Sequence, residues 1–369
     1  MNFLIDIGHP AHVHLYRNLY FRLKEKGHPV VVTVKSLSSA TQLLASYGIP
    51  YITMPEKPDA LLGKIWKQAW FNLKLLRVCQ ENKVAVAIGS SATIAHVSGI
   101  SKVKSIIFDD DDDEVEPLVA RFVNPFASSL LSPNVLQGKR RRRDTVYYPA
   151  YHELAYLHPN HFQPDPAVLA ESGLKEGSPF FILRFNVFKA HHDTGVKGLS
   201  LEQKLKLVEI LKPHGAIYIT TERKIEPELQ EYQMKVSPQK AHSLLAYASI
   251  FIGDSQTMAS EAAVLGVPSL RCNTFAGRIS YLEEQEKKYR LTFGYLPGDF
   301  EKLVRKLKAL LAMPNLKEEW QRRRRAMLAD KIDLSAFMAW FVENYPQSAQ
   351  VLKDDPEYAG RFRPVQIAP

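Results

Sequence analysis

Cysteine is scarce in this chain of 369 residues, with only Cys79 and Cys272. Two thiols, with no Cys-x-x-Cys or Cys/His cluster, exclude a disulfide framework and a structural zinc site and fit a reducing cytoplasm. Long apolar runs are lacking as well. The first, Phe3 to Ile7, is strand-length and broken by Asp6, and no stretch approaches the about 18 to 20 residues that a membrane-spanning helix needs. A cytoplasmic protein, free or attached to the inner face of a membrane only peripherally, is the expectation. Repeats at a period of about 20 to 50 residues are missing too, against a solenoid.

What is present is ordinary globular material: 46% hydrophobic and 10% aromatic residues, which excludes disorder as the main state. At about 100 to 200 residues per domain the length suits two domains. The 48 basic side chains outnumber the 39 acidic ones, a net charge of +9. That bias favours anionic partners, among them nucleotide phosphates, anionic lipid and nucleic acid, and does not choose among them.

Short β-branched runs alternate with helical patterns. Phe3 to Ile7, Val30 to Val34, Val84 to Ile88 and Val103 to Phe108 read as buried strands in the first half. Phe180 to Arg184, Ala216 to Thr220, Ser249 to Ile252 and Val267 to Arg271 repeat the rhythm in the second. This βαβα order predicts two doubly wound α/β domains with parallel sheets. Prolines 149, 159, 164 and 166 crowd an aperiodic stretch between them. The predicted layout is a first domain at 1–150, a linker at 151–166, a second domain at 167–345 that includes the C-terminal helices, and a tail at 346–369. Such a pair would face a cleft at the carboxyl ends of its sheets, where these folds bind ligands.

The segment Phe251 to Ser269 ends a strand in Gly253, turns through Asp254 and Ser255 and opens a helix near Gln256. Free N–H groups and the helix dipole at such a start suit a diphosphate, with Ser255 and Thr257 adding hydroxyls and Glu261 placed to accept from ribose hydroxyls. A plain cap at Asp254 or Ser255 explains the same residues. Arg184, Asn186, Lys189, His191, His192 and Asp193 follow the first strand of the second domain. Arg184 and Lys189 would neutralise phosphates, and His192 and Asp193 would contact sugar or base. Adjacent side chains diverge, so the His191–Asp193 cluster lacks a recognisable metal spacing. The run Asp109 to Asp113 with Glu114 and Glu116 follows a strand. It reads as solvated surface, as a catalytic or acceptor-binding carboxylate at Glu114, or as a magnesium site that is no EF-hand.

The residues Gly253 to Pro268 resemble the nucleotide-binding segment of GT-B glycosyltransferases and of UDP-N-acetylglucosamine 2-epimerases. Over nearly its whole length the chain is similar to the domain of unknown function 354 family, grouped as GT-B glycosyltransferases. The marks are IDIGHPAHVHLYRN (Ile5 to Asn18), DDDE (Asp111 to Glu114), LRFNVFKAHHDTGVKGLS (Leu183 to Ser200), GDSQTMASEAAVLG (Gly253 to Gly266) and RCNTFAGRISYLEE (Arg271 to Glu284). The turn Gly8 to Val13 resembles the glycine-rich first loop of the lipid-linked N-acetylglucosaminyl transferase of cell-wall synthesis, with Pro10 and Ala11 where glycines are expected. The resemblance implies a GT-B fold of two Rossmann-like domains and a sugar moved from a nucleotide-diphosphate donor to an acceptor hydroxyl of a glycan or lipid-linked molecule. It also implies His12 as the general base, with Gly8 and His9 beside it in the cleft. Donor contacts would come from Arg184, His192, Asp193, Gly253, Ser255, Gln256, Thr257 and Glu261, and neither metal nor cofactor would be needed.

Two other functions remain open: a UDP-sugar 2-epimerase, sharing fold and donor segment, and a non-enzymatic basic protein binding nucleic acid. The basic runs Lys139 to Arg143 and Arg322 to Arg325 have no interleaved aromatics, which speaks against nucleic acid and leaves solvated surface or anionic lipid. Leu62, Ile65, Trp66, Ala69, Trp70, Leu73 and Leu76 form one helical stripe with lysines around it. Core packing and an interfacial membrane helix both produce that pattern.

Overall fold

The structure, a computed structural model, describes residues 1–54, 61–185, 198–221 and 224–363, with residues 61–67 described by their backbone alone. The chain divides into two compact units, Met1–His161 with Asp330–Pro369, and Phe162–Ala329. In chain order the strands are β1 (Phe3–Ile7), β2 (Val30–Lys35), β3 (Ile52–Met54), β4 (Val86–Gly89), β5 (Lys104–Phe108), β6 (Ser129–Pro133), β7 (Val146–Tyr148), β8 (Phe180–Phe185), β9 (Ala216–Thr221), β10 (Ile250–Gly253), β11 (Ser269–Cys272) and β12 (Thr292–Tyr295).

The first unit holds a seven-stranded sheet in the order β3-β2-β1-β4-β5-β6-β7 and the second a five-stranded sheet in the order β12-β11-β10-β8-β9. All the pairings are parallel. Parallel strands are covered on both faces, which is why β1, β4 and β10 read as unbroken buried runs rather than as alternating ones. In each sheet the order reverses at one point, between β1 and β4 in the first and between β8 and β10 in the second. There the loops leaving the carboxyl ends diverge and open a crevice.

The expected domain boundaries shift in two places. The 151–166 stretch is no free linker up to His161: Leu154–Leu157 forms a short helix and, with Tyr151, is buried. The C-terminal helices are also divided differently from the predicted second domain, because everything from Asp330 onward packs with the first unit. The cause is the helix Leu334–Glu343, which is apolar on nearly every side and can be stable only when surrounded. Its Phe337 ring lies 5.5 Å from Tyr148 and the Ser335 hydroxyl donates to the Ala155 carbonyl at 2.6 Å. The expected tail follows it as the helix Gln347–Asp354 and a 3-10 turn, Pro356–Phe362, on the same unit.

Candidate functional site

In the second unit the reversal point gathers most of the expected donor residues. Gly253 stands opposite Arg184 in the β8/β10 register. A Cβ there would lie 2.2 Å from the Arg184 carbonyl oxygen, so only glycine lets the two strands close. The Asp254 N–H donates to that carbonyl at 3.1 Å, and Asn273 donates its side-chain amide to the Asp254 carbonyl at 2.8 Å. The turn is thereby fixed on two sides. Ser255 caps the helix Gln256–Leu265, its hydroxyl accepting from the Met258 N–H at 3.3 Å, and Gly266 ends the helix at φ 75°. Gln256 and Thr257, at the open first turn, are half-buried. The Arg184 guanidinium donates to the Thr220 hydroxyl at 3.0 Å. Glu261 is more enclosed than expected: it is buried, with an oxygen 3.0 Å from Nε2 of a buried His242. His192 and Asp193, with Asn186, Lys189 and His191, lie outside the described residues.

In the first unit the ends of β1, β5 and β7 bring together a polar recess. His9 caps the helix Pro10–Glu25, its Nδ1 accepting from the Ala11 N–H, and Pro10 fits the first turn, where no N–H is needed. His12 Nδ1 accepts from the Gly8 N–H at 3.3 Å. Burial, then the charges of His9 and His152, push His12 down to about 3, so its imidazole is neutral at pH 7. In that state Nδ1 is occupied as an acceptor and the ring carries no charge.

The acidic run is solvated only in part: Asp109, Asp112 and Asp113 are buried, while Asp111, Glu114 and Glu116 are exposed. Asp109 and Asp113 accept from the buried Arg140 guanidinium at 3.0 and 2.7 Å, and Asn124 donates to Asp109 at 3.1 Å. Asp110 lies 3.1 Å from His152 Nδ1, and His152 Nε2 lies 3.0 Å from the Tyr148 hydroxyl. Burial alone would raise the Asp110 carboxyl, but His152 brings it below the usual range. The His152 imidazole, despite its burial, is raised by Asp110. Asp111 is open to water at the rim of the recess, yet protein crowds its carboxyl. Desolvation first, then Asp110 and Asp109, push it up to about 8. Glu114, the carboxylate singled out from sequence, is exposed.

Asp109, Asp110 and Asp111 each bring an oxygen within 4.8 Å of the others, near enough for one cation. Arg140 and His152 already balance two of the three. The arrangement therefore suits proton transfer: neighbouring groups with proton affinities driven apart, one of them near neutrality. Sequence reasoning missed Asp110, Asp111, His152 and Arg140. Asp110 and Asp111 were visible only as part of a run, and His152 stood alone in an apparent linker.

Some members of both basic runs are engaged within the fold, while Lys139, Arg141, Arg143, Arg322 and Arg325 are exposed. Arg142 binds Asp144 and the carbonyls of Asn124 and Ala127. Arg322 and Arg323 bind Glu319, and Arg324 donates to the Val264 carbonyl.

The comparisons with known proteins agree with this architecture. The family model described as "Protein of unknown function (DUF354)" matches residues 1–293, and the chain belongs to that family. No curated protein matches it in sequence. A solved UDP-N-acetylglucosamine 2-epimerase is 12% identical with a TM-score of 0.62, over 99% of this chain and 98% of its own. Spinosyn rhamnosyltransferase SpnG, complexed with spinosyn aglycone, is 14% identical with a TM-score of 0.58, over 93% and 98%. Glycosyltransferase VinC, in complex with dTDP, is 13% identical with a TM-score of 0.59, over 95% and 100%. At such identities the likeness is one of fold, the GT-B arrangement of two parallel-sheet α/β domains.

Proposed function

We propose that this member of the family transfers a sugar from a nucleotide-diphosphate donor to the hydroxyl of a glycan or lipid-linked acceptor, at the cytoplasmic side of a membrane. The observation that carries the reading is the turn at Gly253–Ser255. It is pressed against the end of β8 and opens a helix start at the reversal point of its sheet, where a diphosphate finds N–H donors and the positive end of a dipole. Arg184 would face the phosphates, Ser255, Gln256 and Thr257 would donate to them, and Glu261, oriented by His242, would accept from the ribose.

In the reaction the acceptor oxygen bonds to the anomeric carbon while the bond from that carbon to the diphosphate oxygen breaks. The leaving diphosphate keeps the electron pair, and the helix-start N–H groups and Arg184 stabilise its charge. The acceptor proton passes to a base. The role expected of His12 falls in our reading to Asp111, whose proton affinity suits transfer near neutral pH, with the Asp110–His152 pair fixed behind it. His12, Gly8 and His9 would then shape the recess.

Calorimetry and thermal shift with UDP, GDP, CDP, dTDP and their sugar conjugates test the donor site. A ligand at 100 times its Kd stabilises the folded state by about 2.7 kcal/mol. The variant to compare is Ser255→Gly with Glu261→Gln. Glycine keeps most of the cap, and glutamine can still bond to His242. One nucleotide class should bind wild type and bind the variant at least about tenfold more weakly, a difference of about 1.4 kcal/mol. A folded protein that binds none of the panel refutes the reading, and steeply salt-dependent binding to DNA or RNA in its place would return the basic binding protein to first place. Conversion of a UDP-sugar at C2 without acceptor would mark the epimerase instead.

A further inference from the structure

On one face of the first sheet lie the helices Leu61–Glu81, Ala92–Ile100 and Pro117–Phe122 and the 3-10 turn Asn124–Phe126. Their outer side chains include Trp70, Leu73, Leu118, Phe122 and Phe126, which are 47%, 62%, 69%, 53% and 50% exposed. Scattered apolar residues need no explanation, but these share one surface. Asn72 on the first helix meets His96 on the second at 3.4 Å, and His96 meets the Phe122 carbonyl at 3.0 Å and the Phe126 ring at 5.5 Å.

The charge on these elements is one-sided. The helices and turn, 61–81, 92–100 and 117–126, carry Lys64, Lys67, Lys74, Arg77 and Arg121 against Glu81, which is bonded to Arg77, and against Glu116 at the N-cap of the third helix. Two of the cations sit over the exposed rings, Lys74 over Trp70 at 5.6 Å and Arg121 over Phe122 at 5.7 Å. Rings capped by basic groups are suited to the boundary between hydrocarbon and headgroups, where the ring enters the acyl layer and the cation meets phosphate. A second copy is disfavoured as the occupant, because an isologous contact would press the same basic surface against itself.

We propose that this helical face is the membrane-contact surface of the protein, seated on anionic lipid with the rings of Trp70, Phe122 and Phe126 in the interface. The proposal deepens the membrane location in the reading above and rests on it only for the presence of a membrane. Among the described residues no helix is long and apolar enough to cross a bilayer, so contact is from one side.

The test uses the full chain with vesicles of phosphatidylcholine alone or with about one-third phosphatidylglycerol, followed by sedimentation. The variant carries Trp70→Ser, Leu73→Ser, Phe122→Ser and Phe126→Ser, all at exposed positions, with its fold checked by thermal melting. Wild type should bind the mixed vesicles at least about tenfold more tightly than the neutral ones, since each basic group near such a surface contributes about fivefold. Binding should fall as salt rises from about 0.1 to 1 M, which shortens the screening length from about 10 to 3 Å. The folded variant should bind at least about tenfold more weakly. No binding by wild type, equal binding by the variant, or a wild-type dimer that the variant converts to monomer would each overturn the proposal. Nucleotide binding is read separately, so failure here leaves the donor site standing and failure there leaves this surface standing.

Discussion

His12 gives a prediction that can be worked through in numbers. It is half-buried beside His9, His152, Asp110 and Lys35, and its proton affinity is held at about 3 against an ordinary 6.5. In the unfolded chain the imidazole takes a proton below about pH 6.5, while in the folded protein it stays neutral until far lower. The unfolded state therefore binds more protons in this window, and stability contributed by neutral His12 is complete above about pH 7.5 and lost as pH falls. The loss amounts to about 1.4 kcal/mol at pH 5.5 and about 2 kcal/mol at pH 5.0, upper figures given partial solvent access. Protonation would also remove the acceptor that Nδ1 offers to the Gly8 N–H. The comparison is His12→Asn, whose side-chain oxygen can still accept that bond and does not titrate. Native-state hydrogen exchange of peptides from β1 and the helix Pro10–Glu25, with β10 as internal control, reads the first unit by itself. Between pH 7.5 and 5.0 wild type should lose about 2 kcal/mol more protection there than the variant. Equal losses would refute the assignment of His12 as a neutral structural imidazole and return it to consideration as a base.

Gly253→Ala should cost about 3 kcal/mol or more in the second unit, because the added carbon meets backbone and not a movable side chain; a melt unchanged from wild type would refute the tight β8/β10 approach. Asp333 caps the helix Leu334–Glu343 and accepts from His161 at 2.7 Å and Asn160 at 2.9 Å, which hold its carboxyl well below the usual range against its burial. Asp333→Ala should destabilise the first unit by about 3 kcal/mol above about pH 5, and the difference from wild type should vanish only in strong acid. Denaturation curves at pH 7 and pH 2 check both. Asp111→Asn should abolish the rise of the transferase rate with pH that deprotonation of a base near pH 8 gives, while leaving nucleotide binding within about twofold, since it lies outside the Gly253–Ser255 turn; an unchanged profile would remove Asp111 from the reaction.

The sheets were largely legible because a buried parallel strand shows as a short, mostly apolar run, as in Phe3–Ile7 and Phe180–Phe185. Short edge strands such as β3 and β7, three residues each, give too little pattern to find. β12 is obscured by Gly294, whose missing side chain makes room for the buried Arg271 guanidinium. The Gly253–Ser255 turn was readable since its geometry is local: Gly253, Ser255 and the helix start occupy a few consecutive residues. The recess was not, because its partners come from β1, β5 and β7. Asp109 and Arg140 are 31 residues apart, and the one arginine of the basic run that neutralises Asp109 and Asp113 meets them only after the chain has folded.

The sequence by itself determined the two-domain α/β rhythm, the turn from Gly253 into a helix and the family, all of which depend on neighbouring residues or on period. Tertiary structure alone decided that the chain returns after Asp330 to its first unit, that Glu261 pairs with His242, and that burial lowers the proton affinity of His12 and raises that of Asp111. Those outcomes depend on burial and on charges brought together from distant positions, and neither is written in any single stretch of chain.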